Sequence, residues 1–273
     1  MSVITISRQL GSLGTEIARG VAEKLDYEYV DKEKIGKTLT EYGLPEPDVE
    51  RFDEKKPPFW DSWQIQRRKF LHFIQAVIYD LAGKGNVVIV GRGGQVLLKD
   101  LPGVLHLRIV APFELRVRRT IEREGGDEKQ VARSLRRSDR DSDGFIRSFF
   151  DVDWNDQNLY DLIINTQKFS VETAVSVILE SVQSPKVREG EKRGKEKLAD
   201  RALMQKVEAT LLDILGIDIR HTNIQIEKGV VTLRGAVSSP VEKENCQQAL
   251  SKIAGVNRVY NQLLTTEHFR FGG

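Results

Sequence analysis

Val3-Ile4-Thr5-Ile6-Ser7-Arg8-Gln9-Leu10-Gly11-Ser12-Leu13-Gly14-Thr15-Glu16-Ile17-Ala18 passes from a β-branched strand pattern through a glycine-bearing turn into a helical pattern that continues to Leu25. A turn of this kind aims backbone N–H groups and the positive end of the helix dipole at one spot, which is the physical basis of phosphate binding. The full phosphate-loop pattern needs a glycine, four residues, then Gly-Lys-Ser/Thr. Here Gly14 is in place, but Gln9 stands at the first glycine, Thr15 at the lysine and Glu16 at the hydroxyl. By spacing alone, the turn suits both a phosphate cradle and a glycine turn that only packs strand against helix.

The strand–helix alternation continues. Tyr27 to Val30, Asn86 to Val90, Val104 to Val110 and Leu159 to Ile164 read as further strands, with helical patterns over about 61–83, 113–124, 127–140 and 170–183. Such alternation requires crossover connections, so the expected fold is α/β: a parallel sheet with helices on both faces. Residues 184–200, SPKVREGEKRGKEKLAD, mix both charges with proline and glycine and carry almost no apolar surface. They read as a solvated linker whose second half can begin the next helix. Beyond it come a helix at 202–215, strands Ile224 to Glu227 and Val230 to Arg234 about Lys228-Gly229, a helix at 241–253 and a strand Val256 to Leu264. The expected organisation is a domain over 1–183, a linker over 184–200 and a small α-β-β-α-β domain over 201–267.

A length of 273 residues exceeds what one core usually serves, in keeping with two domains. Hydrophobic residues at 40% and charged residues at 30%, with no long apolar run, fit a globular chain without a spanning helix. The first residues look like a strand rather than a leader, and the single cysteine, Cys246, cannot pair internally, so a reducing cytoplasm is the expected setting. His72, His106, His221 and His268 lie far apart and suggest no zinc site. A net charge of +2 gives no general attraction to nucleic acid or acidic lipid.

Several polar residues fall where strands end. Asp31 follows the second strand, as a ligand contact or as the N-cap of the helix starting at Lys32. Arg92 follows the third strand in Gly91-Arg92-Gly93-Gly94, positioned for a bidentate phosphate grip or as a surface arginine in a glycine turn. Arg133, Arg136, Arg137 and Arg140 share one broad helical face. Either Asp139, Asp141, Asp143 and neighbouring glutamates neutralise it, or a polyphosphate does, with Arg116, Arg119 and Arg123 adding to the charge density. Pro57-Pro58-Phe59-Trp60-Asp61-Ser62-Trp63 before Arg67-Arg68-Lys69 reads as the packing start of a helical subdomain rather than a nucleic-acid stacking surface.

Ser7 to Ala18, Tyr29-Val30-Asp31-Lys32-Glu33, Val88-Ile89-Val90-Gly91-Arg92-Gly93-Gly94 and Arg118-Arg119 together resemble, in order and spacing, the cytidylate kinase-like family over about residues 1–183, and Glu50-Arg51-Phe52-Asp53-Glu54-Lys55-Lys56-Pro57 resembles one subfamily of it. The resemblance implies ATP with Mg²⁺ and phosphoryl transfer to a nucleoside monophosphate such as CMP, or a related small acceptor. Under it Arg8, Gly11, Ser12, Gly14, Thr15 and Glu16 would hold the ATP phosphates, and Asp31 and Arg92 the acceptor. Arg92, Arg119, Arg137 and Arg140 would serve transfer, the last three from a lid over about 116–147, and no side chain is expected as a dedicated metal ligand. Members of the subfamily usually place arginine where this chain has Thr15, followed by a glutamate, here Glu16. That departure bears on turnover more than on binding, so a nucleotide sensor with lost turnover is the alternative.

Ile224-x-Ile226-x-x-Gly229-Val230-Val231-Thr232-Leu233-x-Gly235-x-Val237, Ala249, and Ile253-x-Gly255-Val256-x-x-Val259-x-Asn261-x-Leu263 resemble a BON domain. In this reading Gly229 turns the hairpin, Gly235 ends a strand and Gly255 caps the second helix. The resemblance implies a binding module for phospholipid or polymeric surfaces, with protein contacts or self-association as the plainer alternative.

Overall fold

The computed structural model describes residues 2–42, 44, 46–47, 63–214 and 222–265; the subfamily stretch at 50–57, the aromatic run before Trp63, His221 and His268 lie outside the described residues. The chain forms two compact units, Met1–Gly194 and Lys195–Gly273. No helix among the described residues is long and apolar enough to cross a membrane.

In the first unit the order is β1 (Val3–Arg8), α1 (Gly14–Leu25), β2 (Glu28–Val30), α2 (Lys32–Glu41), α3 (Trp63–Lys84), β3 (Val87–Val90), α4 (Gly94–Leu97), β4 (Val104–Val110), α5 (Phe113–Glu124), α6 (Glu128–Phe150), β5 (Leu162–Asn165) and α7 (Val171–Val182). The strands form a parallel five-stranded sheet in the order β2-β3-β1-β4-β5. The chain leaves β1 toward one edge and leaves β3 toward the other, so a crevice opens at the carboxyl ends of these two neighbours.

Alternation along β1 and β4 gives the sheet two unlike faces. Ile4, Ile6, Val88, Val90, Leu105, Leu107, Ile109 and Ile164 pack beneath α1 and α7, each fully buried side chain contributing roughly 2 kcal/mol. Thr5, Ser7, His106 and Arg108 are also buried and occupy the other side of the pleat. Thr5 Oγ1 lies 2.7 Å from His106 Nδ1, and Trp154 Nε1 donates to Ser7 Oγ at 2.7 Å. The Arg108 guanidinium donates to the Trp154 carbonyl and, at 2.8 Å, to Asn155 Oδ1. It also stands 4.3 Å from the Trp154 ring centre and 5.4 Å from that of Tyr160. Burial of this cation is offset by neutral oxygens and aromatic faces.

Three segments depart from the sequence expectation. The fifth strand begins at Leu162 rather than Leu159, because residues Gln157–Leu159 form a 3-10 turn capped by Asp156, and Asp161 Oδ2 accepts the His106 N–H at 2.7 Å. Helix α6 continues past 140 to Phe150, since Phe145 and Phe149 extend its apolar stripe onto Phe70, with ring centres 4.8 Å and 5.0 Å apart along the series. In the segment read as a linker, the helix begins at Pro185 rather than in the second half: α8 (Pro185–Ala209) takes in residues 185–200. Its glycines serve packing there, for a Cβ on Gly190 would lie 2.8 Å from the Pro102 carbonyl carbon and one on Gly194 3.0 Å from the same atom.

In the second unit a π turn, Thr210–Ile214, extends α8 and precedes β6 (Thr222–Glu227), β7 (Val230–Val237), α9 (Pro240–Ser251) and β8 (Arg258–Thr265). The sheet order is β6-β7-β8, antiparallel then parallel. Lys228 (φ 49°) and Gly229 (φ 75°) both take the left-handed region that a two-residue hairpin turn requires, and the Asp200 carboxylate accepts both of their N–H groups at 2.8 and 2.9 Å. Leu203, Val207, Leu211, Val231, Leu233, Cys246, Leu250 and Leu263 form a core of their own. Two glycine expectations are corrected: β7 runs through Gly235 to Val237, and α9 ends on Lys252, leaving Gly255 in the turn beyond.

Because that core is self-contained, residues 195–273 expressed alone should give a dispersed amide spectrum and a cooperative melt; a collapsed spectrum would show that this unit draws its core from elsewhere. A second expectation concerns His106. Burial pushes its imidazole below the ordinary value, against an opposing pull from Asp161, the Leu98 carbonyl and Asp100. The unfolded chain therefore binds the proton first, and His106 costs stability as pH falls below about 6.5, by at most about 1.4 kcal/mol per pH unit. Urea unfolding at pH 7.5 and 5.0 should show the parent losing more stability than His106→Gln; equal losses would contradict this.

Candidate active site

The turn between β1 and α1 is built from backbone that few sequences accept. Gln9 N donates to Ile109 O at 3.1 Å and extends the β1–β4 ladder by one residue, while Gln9 Oε1 accepts Ala111 N at 3.2 Å. The chain then reverses with Gly11 at φ 79° and Leu13 at φ 65°. A leucine in the left-handed region costs about 1–2 kcal/mol, offset by packing of its side chain on the core beneath α1. Ser12 is wholly buried, and its hydroxyl donates to Gln9 O (2.7 Å) and Ile109 O (3.2 Å). Its side chain therefore braces the turn, leaving only backbone for a ligand. Helix α1 opens on Leu13, which offers no side-chain cap to the first-turn N–H groups.

Close packing fixes this turn from two sides. A Cβ on Gly14 would lie 2.9 Å from Arg8 Cγ, and one on Gly11 would lie 3.0 Å from Thr120 Oγ1 and 3.1 Å from Arg116 O. Arg116, almost fully buried, grips Asp139 through two parallel bonds of 3.0 and 2.8 Å and reaches Leu10 O at 3.3 Å. It is a brace between the turn, α5 and α6. Arg119 donates to Thr166 Oγ1 and O at 2.9 and 2.8 Å, and Thr166 Oγ1 donates to Ser12 O at 3.0 Å, so Arg119 also acts on the turn from behind.

The turn borders a cavity of about 330 Å³ whose lining includes Arg8, Gly11, Gly14, Thr15 and Glu16, and, from α5 and α6, Arg123, Ser138 and Ser142. Glu16 accepts from Arg123 Nη1 at 3.0 Å across it. Five of the six residues expected at the phosphates are thus brought together, and the sixth, Ser12, belongs to the same turn by its backbone. Arg137 and Arg140 are not part of this group. With Arg133 and Arg136 they line a separate open hollow of about 910 Å³ on α6, which shares no lining residue with the turn cavity. Of the acidic residues of α6, Asp139 pairs with Arg116 and Asp143 with Arg147. Arg136 lies 4.8 Å from the Phe113 ring centre, and among the described residues Arg133, Arg137 and Arg140 have no ion pair.

On the other side of the crevice, Asp31 is an N-cap, its Oδ1 accepting Glu33 N and Lys34 N at 3.1 Å each. Arg92 is not a surface arginine, one of the two readings its glycine turn allows. It is 7% exposed, takes φ 54° between two left-handed glycines, and sits 5.6 Å from the Phe145 ring centre. A Cβ on Gly93 would run into the Phe150 ring, so the turn is pressed against α6. The sequence did not single out Arg108, Trp154 and Tyr160, which form a buried cluster on the polar face of the sheet with the exposed Asn155 at its edge. The signal was in VLHLRIV, where His106 and Arg108 alternate with the apolar residues and mark a polar sheet face.

Residues 3–168 match the cytidylate kinase-like family and residues 199–267 match the BON domain. The chain is 29% identical to a cytidylate kinase of Archaeoglobus fulgidus, over 69% of this chain and 99% of that protein. It is 26% identical to a cytidylate kinase of Pyrococcus horikoshii, over 71% of this chain and 96% of that protein. Among solved structures, an uncharacterized protein from Eubacterium ventriosum superposes with a TM-score of 0.54 at 23% identity, covering 67% of this chain and 99% of its own. With three-fifths of its length matched, this chain belongs to the cytidylate kinase-like family and carries a BON domain after it.

Proposed function

We propose that the first unit transfers the γ-phosphoryl group of ATP to a nucleoside monophosphate, with CMP the first acceptor to test. The observation that carries this reading is the cavity at the β1–α1 turn, where uncapped N–H groups and the positive end of α1 meet arginine side chains beside the β1–β3 crevice. Nearly the whole length of two relatives named cytidylate kinase aligns with this chain, which supports the choice of acceptor. In this reading the turn holds the donor phosphates, and Arg92, at the end of β3, meets the acceptor phosphate from the opposite wall. Its packing on Phe145 ties acceptor binding to the position of α6.

The residues present fit Mg²⁺ in the form such sites use. Glu16 offers one carboxylate in the cavity, and no cluster of three candidate ligands occurs among the described residues, so phosphate oxygens and water would complete the shell. Bound there, the ion would neutralise charge on the phosphates and compete with Arg123 for Glu16. Thr15 supports a second reading, a nucleotide-binding sensor with little turnover, because it leaves the turn without a lysine. Among its described residues the second unit offers no titratable pair for catalysis, and burial pushes the thiol of Cys246 above its ordinary value. It is read as a binding module, for phospholipid, a polymeric surface or protein.

Calorimetry with Mg·ATP and with CMP, followed by assay for CDP, tests the two readings together. The parent should bind both ligands and form CDP, and ATP binding without CDP would establish the sensor. Arg92→Met should lower kcat/KM for CMP about 100-fold, near 2.7 kcal/mol, while ATP affinity stays within about threefold. Loss of ATP affinity to the same extent would remove Arg92 from the acceptor side.

A further inference from the structure

We propose that Arg8 supplies the cation that Thr15 does not, standing between donor and acceptor phosphates during transfer; this rests on the phosphoryl-transfer reading above. Apart from Arg92 on the acceptor side, the other arginines around the site are engaged by partners or face away from the turn cavity. Arg116 is committed to Asp139, Arg119 to Thr166, and Arg123 to Glu16 and Glu124. Arg19 stacks on Tyr29, 5.4 Å from its ring centre. Arg133, Arg137 and Arg140 face a hollow distinct from the turn cavity. Arg8 lines the cavity and has no ion pair among the described residues.

Its position suits the task. Arg8 is the last residue of β1, half-buried, and its stem is held against Gly14 at the start of α1. Its Nη1 lies 3.5 Å from where a Cβ of Gly91 would be, in the turn that ends β3. The side chain therefore spans the crevice from the donor turn to the acceptor turn. A planar guanidinium can contact an oxygen of each phosphate at once. In the transfer step a dianionic acceptor phosphate oxygen forms a bond to the γ-phosphorus as the bond to the β–γ bridging oxygen breaks. The electron pair leaves on that oxygen, now part of the β-phosphate, and no proton has to move. Arg8 would stabilise the charge gathering between the two oxygens.

The test compares Arg8→Met, which keeps the methylene packing on Gly14 and removes the charge, with Arg8→Lys, Thr15→Lys and the double variant Arg8→Met/Thr15→Lys. Transfer to CMP gives kcat, calorimetry gives ATP affinity, and thermal melts check folding. Arg8→Met should lower kcat about 100-fold with ATP affinity within about fivefold of the parent, and Arg8→Lys should retain more activity than Arg8→Met. Thr15→Lys should restore at least about tenfold of the lost kcat in the Arg8→Met background, which a purely structural role of Arg8 would not allow. Parental kcat in Arg8→Met, or a loss that neither lysine variant relieves, would overturn the proposal while leaving the function intact. A parent that forms no CDP would overturn the function and this proposal with it.

Discussion

A short turn with two left-handed residues, Gly11 and Leu13, joins the central strand β1 to α1, and its geometry conditions the rest of the first unit. Left alone, Leu13 would relax toward the right-handed region, since the left-handed one costs it about 1–2 kcal/mol. Each neighbour that holds the turn is then constrained in its own choice. Thr166 must sit at the end of β5 to reach Ser12 O, Arg119 must hold Thr166, and Arg116 must stay buried against Gly11 with Asp139 as its counter-charge. The result is a preorganised set of N–H groups, so that little ordering remains to be done when an anion arrives.

The same constraint decides how cations are distributed. A segment rich in arginine suggests a lid that neutralises phosphate wholesale, but the side chains divide into different tasks. Arg116 and Arg119 shape the turn, Arg123 holds Glu16, and the exposed arginines of α6 form a separate basic hollow. Across the crevice, Arg92 packs on Phe145 and Gly93 is pressed against Phe150, so α6 lines the cavity at the β1–α1 turn with one surface and abuts the turn after β3 with another.

Much of this was legible in the sequence. The succession of strand patterns such as VITIS and VLHLRIV with helical ones implied the parallel sheet, and the glycine-bearing turn after the first strand placed Arg8, Gly11, Gly14, Thr15 and Glu16 at one strand end. Parts that depend on tertiary partners were not. The helical course of 184–200 rests on glycines that allow close approach to Pro102, a reason invisible where glycine and charge otherwise spell a linker. For Arg92 the sequence left a phosphate grip and a surface position both open, whereas the fold leaves it 7% exposed with Phe145, more than 50 positions downstream, packed on it. The pairing of Asp139 with Arg116, rather than with the α6 arginines beside it, likewise needs the fold.

The central claim is that backbone N–H groups of the β1–α1 turn, joined by Arg8, hold a nucleotide's phosphates. Titration of the ¹⁵N-labelled chain with Mg·ATP tests it most directly. The account predicts that the largest shifts fall on the amides of Gly11 through Glu16 and on Arg8 Nε, with smaller changes at Gly91 to Gly93 and none in β6 to β8. Shifts concentrated instead on Arg133 to Arg140, or in the second unit, with the turn amides unmoved, would contradict it.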